Sequence, residues 1–169
     1  DVDPDTGRVL ANWSNFTSTT VIGGGVEIRT AFSDNAMSGT PPTWSIGTVV
    51  NGASADFDTG SMARFAGNGS ANAYIAWARK SNDPAAATPY GGEACGNTMF
   101  ARSTDNGVTW SAPVKLHTGG ICVGGDFWPM DQIPGNDRVH SHPAIAVDTS
   151  SGPAAGNVYV VYTANDAKD

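Results

Sequence analysis

Alternating hydrophobic and polar residues predict short β-strands along most of the chain. Between residues 157 and 163, Val158, Val160 and Tyr162 would share one face of a strand, while Tyr159 and Val161 would share the other. Similar runs are separated by turns rich in Gly, Asn, Asp and Ser, which is typical of strands joined by tight connections. Strands are therefore predicted at 1–3 (a strand end), 8–13, 26–32, 44–50, 61–66, 72–78, 98–103, 109–116, 143–148 and 157–163.

The predicted strands recur in a fixed order. A short apolar run, a polar turn and an alternating run that ends in an aromatic residue appear three times, at 2–13, 63–77 and 144–162. A second phrase, a strand, a turn and a strand that starts at Trp, appears twice, at 26–50 and 97–116. Four antiparallel strands that repeat are typical of β-propeller blades. A β-sandwich is the alternative, but it gives no reason for the repeated Trp phrase.

The repeats predict one all-β domain, a partial β-propeller over 1–169. Its first four-stranded blade would span about 1–50, its second about 61–116, and a third would start at about 143–163. Propellers typically have 4–8 blades, so about two and a half blades would leave open edges. We expect the remaining blades to come from the same precursor or from another chain.

Composition supports β structure and limits the partners. The chain has 21 Gly and 10 Pro, charged residues make up only 15%, and Leu occurs only at positions 10 and 116; helical proteins use Leu, Glu and Lys heavily. The net charge of −7 without a Lys/Arg cluster disfavours nucleic acid and anionic membranes as partners. No apolar run is long enough to span a bilayer. Because the sequence opens on DVDPDTG without a Met, we interpret it as a mature or excised piece.

The predicted connections divide into a long and a short class. In an up-and-down sheet successive connections alternate between its two ends, so all the long ones would fall at one end. This end is called the long-loop face, and its predicted connections are 14–25, 51–60, 79–97 and 117–142. The tight turns, at 4–7, 34–43, 67–71, 104–108 and 149–156, would fall at the other end. Binding and catalysis usually reside on long loops held by a rigid scaffold.

The two cysteines fall on this predicted face. Cys95 lies in one long connection and Cys122 in the next, so a disulfide between them is geometrically plausible. Two buried free thiols are the alternative.

Residues 103–110, Ser-Thr-Asp-Asn-Gly-Val-Thr-Trp, resemble the Asp-box, or BNR repeat, of sialidase-like β-propellers. All five characteristic positions are present: Ser103, Asp105, Gly107, Thr109 and Trp110. Residues 33–44 look like a degenerate copy in which Ser33, Thr43 and Trp44 fit, but the Asp and Gly are displaced. The resemblance implies a six-bladed or similar ring, with the Asp-box as a structural turn at the outer edge of its blade. Turn chemistry agrees, because Asn-Gly accepts positive φ values and Ser and Asp can bond backbone groups within a turn.

The same resemblance raises an enzyme alternative. Sialidases of this type carry an arginine triad, a Tyr–Glu nucleophile pair and an acid/base Asp, and that set cannot be placed here. Arg64, Arg79 and Arg138 are on or near the predicted long-loop face but sit in no family motif. The face also carries more acids than bases, which would repel a substrate carboxylate. An exo-sialidase would therefore need catalytic residues outside this chain.

The segment 124–142 holds the ligand-binding candidates. Phe127 and Trp128 could stack on a sugar ring, or could instead anchor the loop as an apolar plug. The acids could pair for glycoside hydrolysis or ligate Ca²⁺, or be turn residues of a solvated loop. His140 and His142 could hold a metal or be structural. The full candidate set is Asp126, Phe127, Trp128, Asp131, Asp137, Arg138, His140 and His142.

Together these features predict a secreted, extracellular or cell-surface module that binds carbohydrate or another extracellular ligand through its long-loop face. A glycoside hydrolase of sialidase type and a structural module of a large surface protein or filament remain the alternatives, since fold alone does not decide function. No cofactor is expected and no metal site is assigned. The acidic start, Asp1-Val2-Asp3-Pro4-Asp5, has the acids of a Ca²⁺ loop but lacks the required Gly and Glu, so a turn is predicted there.

Overall fold

The computed structural model describes residues 1–17, 25–52, 57–80, 96–116, 121–123, 142–162 and 164–166, and within these ranges the secondary structure is β throughout. The strands are β1 (Val9–Phe16), β2 (Val26–Ser33), β3 (Thr48–Val49), β4 (Phe57–Gly67), β5 (Ser70–Lys80), β6 (Gly96–Ser103), β7 (Val114–Lys115), β8 (Ile121–Val123), β9 (Ala144–Val147), β10 (Val158–Val161) and β11 (Ala164–Asp166).

Neighbouring strands in the sequence pair with each other in antiparallel sheets. The first sheet has the order β1-β2-β3 and the central sheet the order β4-β5-β6-β7. β9 pairs with β10 in a third sheet, and β8 pairs with β11. Val2 also forms a bridge with Val9 at the edge of the first sheet. The predicted all-β class with antiparallel sheets is confirmed, whereas the propeller stays a prediction.

The outermost strands are shorter than predicted. β3 and β7 have two residues each, where the alternation predicts strands at 44–50 and 109–116. In both sheets a serine interrupts the ladder: the hydroxyls of Ser45 and Ser111 accept from the backbone N–H groups of Phe32 and Arg102, where a strand would use a carbonyl. The loss of regular pairing follows from this side-chain substitution, which hydrophobic periodicity does not register.

One strand lies inside a predicted loop. β8 falls within 117–142, and it pairs with β11 as the start of β4 pairs with the end of β5. In β4 the register shifts between Thr59 and Met62, which leaves two residues in the irregularity. Residues 124–143 separate β8 from β9 in the sequence. The long segment is therefore interrupted by a strand, and most of it follows β8.

The central sheet buries both of its faces. Ile75, Trp77 and Ala101 pack against Leu10 and Ile28 of the first sheet. Burial of an aliphatic side chain such as Leu10, Ile28 or Ile75 contributes roughly 1.5–3 kcal/mol to folding.

The opposite face of the central sheet packs against the third sheet. There Tyr74, Ala76 and Phe100 meet Ile145 and Val160, and the rings of Tyr74 and Phe100 stack with centroids 5.8 Å apart. Alternate side chains of β5 thus enter two different buried clusters, so neither face of this strand is solvated as a whole.

Candidate functional site

The two ends of the sheets differ in the connections they carry. At one end β4 and β5 are joined by only Asn68 and Gly69, both with positive φ. At the other end, β5 stops at Lys80 and its partner β6 starts at Gly96, a gap of 15 residues in the sequence. Phe16, at the end of β1, meets Phe57, at the start of β4, with ring centroids 5.8 Å apart, so the long connections of both sheets leave from the same end.

The turn between β6 and β7 is closed by its own side chains. The Ser103 hydroxyl donates to Asp105 Oδ1 at 2.7 Å and accepts from the Gly107 N–H at 2.8 Å. Asp105 then accepts from the Thr109 N–H at 2.8 Å and from the Thr109 hydroxyl. The polar side chains of Ser103, Asp105 and Thr109 in the predicted Asp-box are therefore engaged with one another.

The tip of this turn is seated on the first sheet. Asn106 and Gly107 have φ values of 55° and 81°. A Cβ at Gly107 would lie 3.1 Å from Leu10 Cδ1, so only glycine allows this approach without a shift. Arg8 donates to the Asn106 carbonyl at 3.1 Å and also forms an ion pair with Asp34. The turn between β6 and β7 thus contacts the first sheet and helps to hold the two sheets together.

Trp110 adds a second inter-sheet contact. Its indole Nε1–H donates to Thr30 Oγ1 of β2 at 2.9 Å, and its ring packs against the core cluster. The matched Trp44 of the first sheet is 46% exposed, because no described sheet lies on its outer side.

Electrostatics support a structural role for Asp105. Partial burial acts to raise the pKa of its carboxyl, but hydrogen bonds from the Thr109 hydroxyl and N–H and from the Ser103 hydroxyl outweigh burial and hold the pKa below its ordinary value. A general acid needs the opposite shift. The carboxylate is stabilised in its charged form by the turn that it organises.

The turn at 34–47 follows the same plan with an amide. The Ser33 hydroxyl donates to Asn35 Oδ1 at 3.0 Å, and Asn35 Oδ1 accepts from the Thr43 N–H at 2.8 Å and the Thr43 hydroxyl at 3.1 Å. Asn35 stands two residues after the serine, as Asp105 does after Ser103. The turn that follows Ser33 therefore keeps the hydrogen bonds of the turn that follows Ser103, although its sequence differs more.

The acidic start of the chain forms a turn, as its residue types predict. Asp3 is buried and accepts from the Asp5 N–H and the Thr6 hydroxyl. Asp1 and Asp5 accept from the backbone N–H groups of Phe65 and Gly69 in the central sheet. These carboxylates connect two sheets.

A buried polar cluster lies at the long-loop face. Asp58 is fully buried and accepts two hydrogen bonds of 2.8 Å from Arg79 in a bidentate ion pair. Asn51 donates to Asp58 and to the Val26 carbonyl at 2.7 Å, and accepts from the Ile28 N–H at 3.0 Å. The cluster joins the two sheets at the base of the long connections.

Sequence reasoning missed this cluster as a unit. Asp58 and Arg79 fall within the predicted connections 51–60 and 79–97, but their pairing depends on the register of β4 against β5, in which the two are directly opposite. Opposite charges at matched positions of adjacent strands are the signal that could have found them. Arg64, by contrast, lies opposite Tyr74, nearer the tight turn at 68–69 than the long connections.

Of the predicted ligand-binding residues, the structure describes one. His142 is exposed and lies so close to Gly60 of β4 that a Cβ there would overlap its ring, 1.8 Å from Nδ1. The end of the long segment therefore sits over the irregularity in β4, two residues from Asp58. The other candidates lie outside the described residues: Asp126, Phe127, Trp128, Asp131, Asp137, Arg138 and His140. Cys95 and the side chain of Cys122 also lie outside them, so their pairing stays a prediction.

Within the described ranges, no group of three or more His, Cys, Asp or Glu side chains is placed to hold a metal ion. The same part of the chain contains no helix of the length and hydrophobicity needed to cross a membrane.

No family model, curated protein or solved structure matches the chain. The resemblance to sialidase-like propellers therefore rests on the residues of the chain itself.

Proposed function

We propose that the chain is part of a sialidase-like β-propeller that binds carbohydrate, or another extracellular ligand, at its long-loop face. One observation carries the proposal: the side chains of Ser103, Asp105 and Thr109 at the tight-turn end are bonded to one another, whereas the long connections leave together from the opposite end. A rigid set of sheets with its long connections on one side is the usual platform for a binding site.

The packing of the sheets supports the propeller part of the proposal. The central sheet is enclosed by neighbours on both faces, and equivalent turns follow β2 and β6. Face-to-face packing of repeated four-stranded sheets is the arrangement that propeller blades adopt. A β-sandwich has two sheets, each with one outward face, and does not account for an enclosed central sheet.

The electrostatics of the long-loop face favour binding over sialoside hydrolysis. Arg79 is the described arginine nearest the long connections, and its guanidinium is held by Asp58 on two hydrogen bonds. A substrate carboxylate at Arg79 would have to compete with this buried ion pair. Aromatic stacking by Phe127 and Trp128 is a more suitable recognition chemistry for a neutral sugar, because sugar rings stack their apolar faces on aromatic side chains.

A glycan array tests the proposal. The full chain is expected to bind a subset of immobilised oligosaccharides, and Trp128→Ala to lose that signal while its circular dichroism and thermal midpoint stay unchanged. Trp110→Phe is the matched control, because it alters a tryptophan at the tight-turn end and should weaken stability but not binding. An array signal that survives Trp128→Ala would overturn the assignment of this residue.

An assay with a fluorogenic sialoside separates the enzyme alternative. The proposal predicts no turnover by the chain, because no arginine triad can be placed in it. Sialoside turnover that stays with the chain after purification to homogeneity would favour the hydrolase.

A further inference from the structure

A cleft of about 260 Å³ opens between the central and third sheets at the tight-turn end. Asn72 and Tyr74 of β5 line one side of it, and Ala155 and Gly156, from the connection between β9 and β10, line the other. Tyr74 is 9% exposed and no hydrogen bond of its hydroxyl occurs among the described residues. The cleft lies opposite the long-loop face and belongs to neither the predicted Asp-box nor the ligand-binding candidates.

The corresponding position between the first and central sheets is filled. There the Asn106-Gly107 tip makes three contacts. Gly107 lies against Leu10, Arg8 donates to the Asn106 carbonyl at 3.1 Å, and the Asn106 N–H donates to the Ala71 carbonyl at 2.7 Å.

Strand register shows that the cleft has an equivalent of each of these contacts. Val9 pairs with Ser33 as Ala73 pairs with Ser103, so Asn72 corresponds to Arg8 and Tyr74 to Leu10. The alternating runs 71–77 and 156–162 align residue for residue, which makes Gly156 the equivalent of Ala71. The three positions that hold the turn at the first interface thus line the cleft at the second.

The polar groups of the cleft are suited to bind a turn like the Asn106-Gly107 tip. Asn72 Oδ1 accepts from Arg102 at 2.9 Å, which leaves the amide NH₂ of Asn72 to donate to a carbonyl, as Arg8 does. Among the described strands β10 pairs only with β9, and no described strand lies along its other edge, which is called the open edge. A strand at that edge would run as β6 runs along β5 and would carry a following turn to the cleft.

We propose that this cleft is the docking site for a β-hairpin that pairs with the open edge of β10 and inserts a glycine-tipped turn of the Ser-x-Asp-x-Gly type. Glycine is required at the tip because the backbone must approach Tyr74 as Gly107 approaches Leu10. The Asn72 amide binds the carbonyl at the tip, and the Gly156 carbonyl accepts the N–H of the same residue. The inference rests on the propeller part of the proposed function and does not depend on which ligand the long-loop face binds.

The test extends the full chain at its C-terminus with a flexible linker and a second copy of residues 96–116, which supplies a hairpin of the required kind. The thermal midpoint is expected to rise by about 3 °C or more, as added packing predicts for a chain of this size. Backbone amide NMR shifts are expected to change at Asn72, Tyr74 and Gly156 and to stay constant in the first sheet.

A matched variant makes the test specific. With Gly107→Val made in the appended copy only, both the rise and the shift changes should disappear, because valine strains the positive φ of the tip and its side chain would collide with Tyr74. Equal stabilisation by the two appended hairpins would overturn the proposal, as would an extended chain that self-associates with unchanged signals at Asn72, Tyr74 and Gly156. Glycan binding is measured in parallel and should be unaffected, which separates this proposal from that for the long-loop face.

Discussion

At the scale of single residues, the motif positions act through the hydrogen bonds that they make to their own turn. Asp105 is the acceptor that holds Thr109, and Ser103 is both donor to Asp105 and acceptor for Gly107. Asn35 performs the task of Asp105 in the other turn. The turn therefore requires an acceptor oxygen two residues after the serine. The negative charge of Asp105 is not needed for these hydrogen bonds, since the neutral Asn35 makes the equivalent ones.

The first prediction separates acceptor from charge. Asp105→Asn keeps an acceptor oxygen and should change the free energy of unfolding little, whereas Asp105→Ala leaves donors without an acceptor and should cost about 1 kcal/mol or more. Urea denaturation measures both. The control is Thr104→Ala, an exposed neighbour in the same turn, for which a change within about 0.5 kcal/mol is expected. Equal stability of Asp105→Ala and Thr104→Ala would show that the turn does not depend on the acceptor.

The lowered pKa of Asp105 gives a prediction about pH. Because the folded-state pKa lies below the ordinary value of 3.8, the charged carboxylate stabilises the fold above that value, and this contribution is lost as the pH falls through the folded-state pKa. The stability difference between the wild type and Asp105→Asn should therefore shift against the wild type on acidification from pH 6 toward about pH 3. Urea unfolding at a series of pH values measures it; a difference that is constant or moves the other way would contradict the assignment.

At the scale of elements, the positions of the strands and the pairing of sequence neighbours are largely readable from the sequence, whereas the register and the contacts that depend on it are not. The runs at 26–32 and 143–148 lie within two residues of the strands observed, because alternation follows directly from burial of one or both faces. The serine hydroxyls that shorten β3 and β7, and the pairing of β8 with β11, depend on which backbone groups meet across the sheet. The same reason hides the Asp58–Arg79 pair, whose members are 21 residues apart.

The buried ion pair between β4 and β5 should be far more important for stability than a surface pair. Asp58→Ala leaves the guanidinium of Arg79 without its buried partner and should cost about 3–5 kcal/mol. Asp34→Ala, which breaks the bidentate pair between Arg8 and an Asp34 side chain that is 63% exposed, should cost at most about 1 kcal/mol.

Chemical denaturation of both variants gives the comparison. The double variant Asp58→Asn/Arg79→Met removes both charges and should recover much of the loss, since unpaired buried charge rather than the missing attraction accounts for most of it. If Asp58→Ala were no more costly than Asp34→Ala, the cluster would not join the two sheets as described.

At the scale of the whole molecule, the two ends of the sheets differ in what their residues do. Turns seated on neighbouring sheets, through Leu10 and Thr30 at the first interface, hold the structure together. The opposite end has the buried cluster of Asn51, Asp58 and Arg79, and the long connections leave the sheets there. The five residues of the predicted Asp-box could be singled out in the sequence because their spacing is local. The ligand-binding candidates are a looser prediction, since their grouping depends on how separate long segments come together.

Hydrogen–deuterium exchange of the whole chain, with and without an oligosaccharide that gives signal on the array, tests this division of tasks most directly. The account predicts that bound oligosaccharide slows exchange in peptides from 79–97 and 117–142 and leaves those covering 103–110 unchanged. Slowed exchange at 103–110, with no change in the long connections, would contradict it.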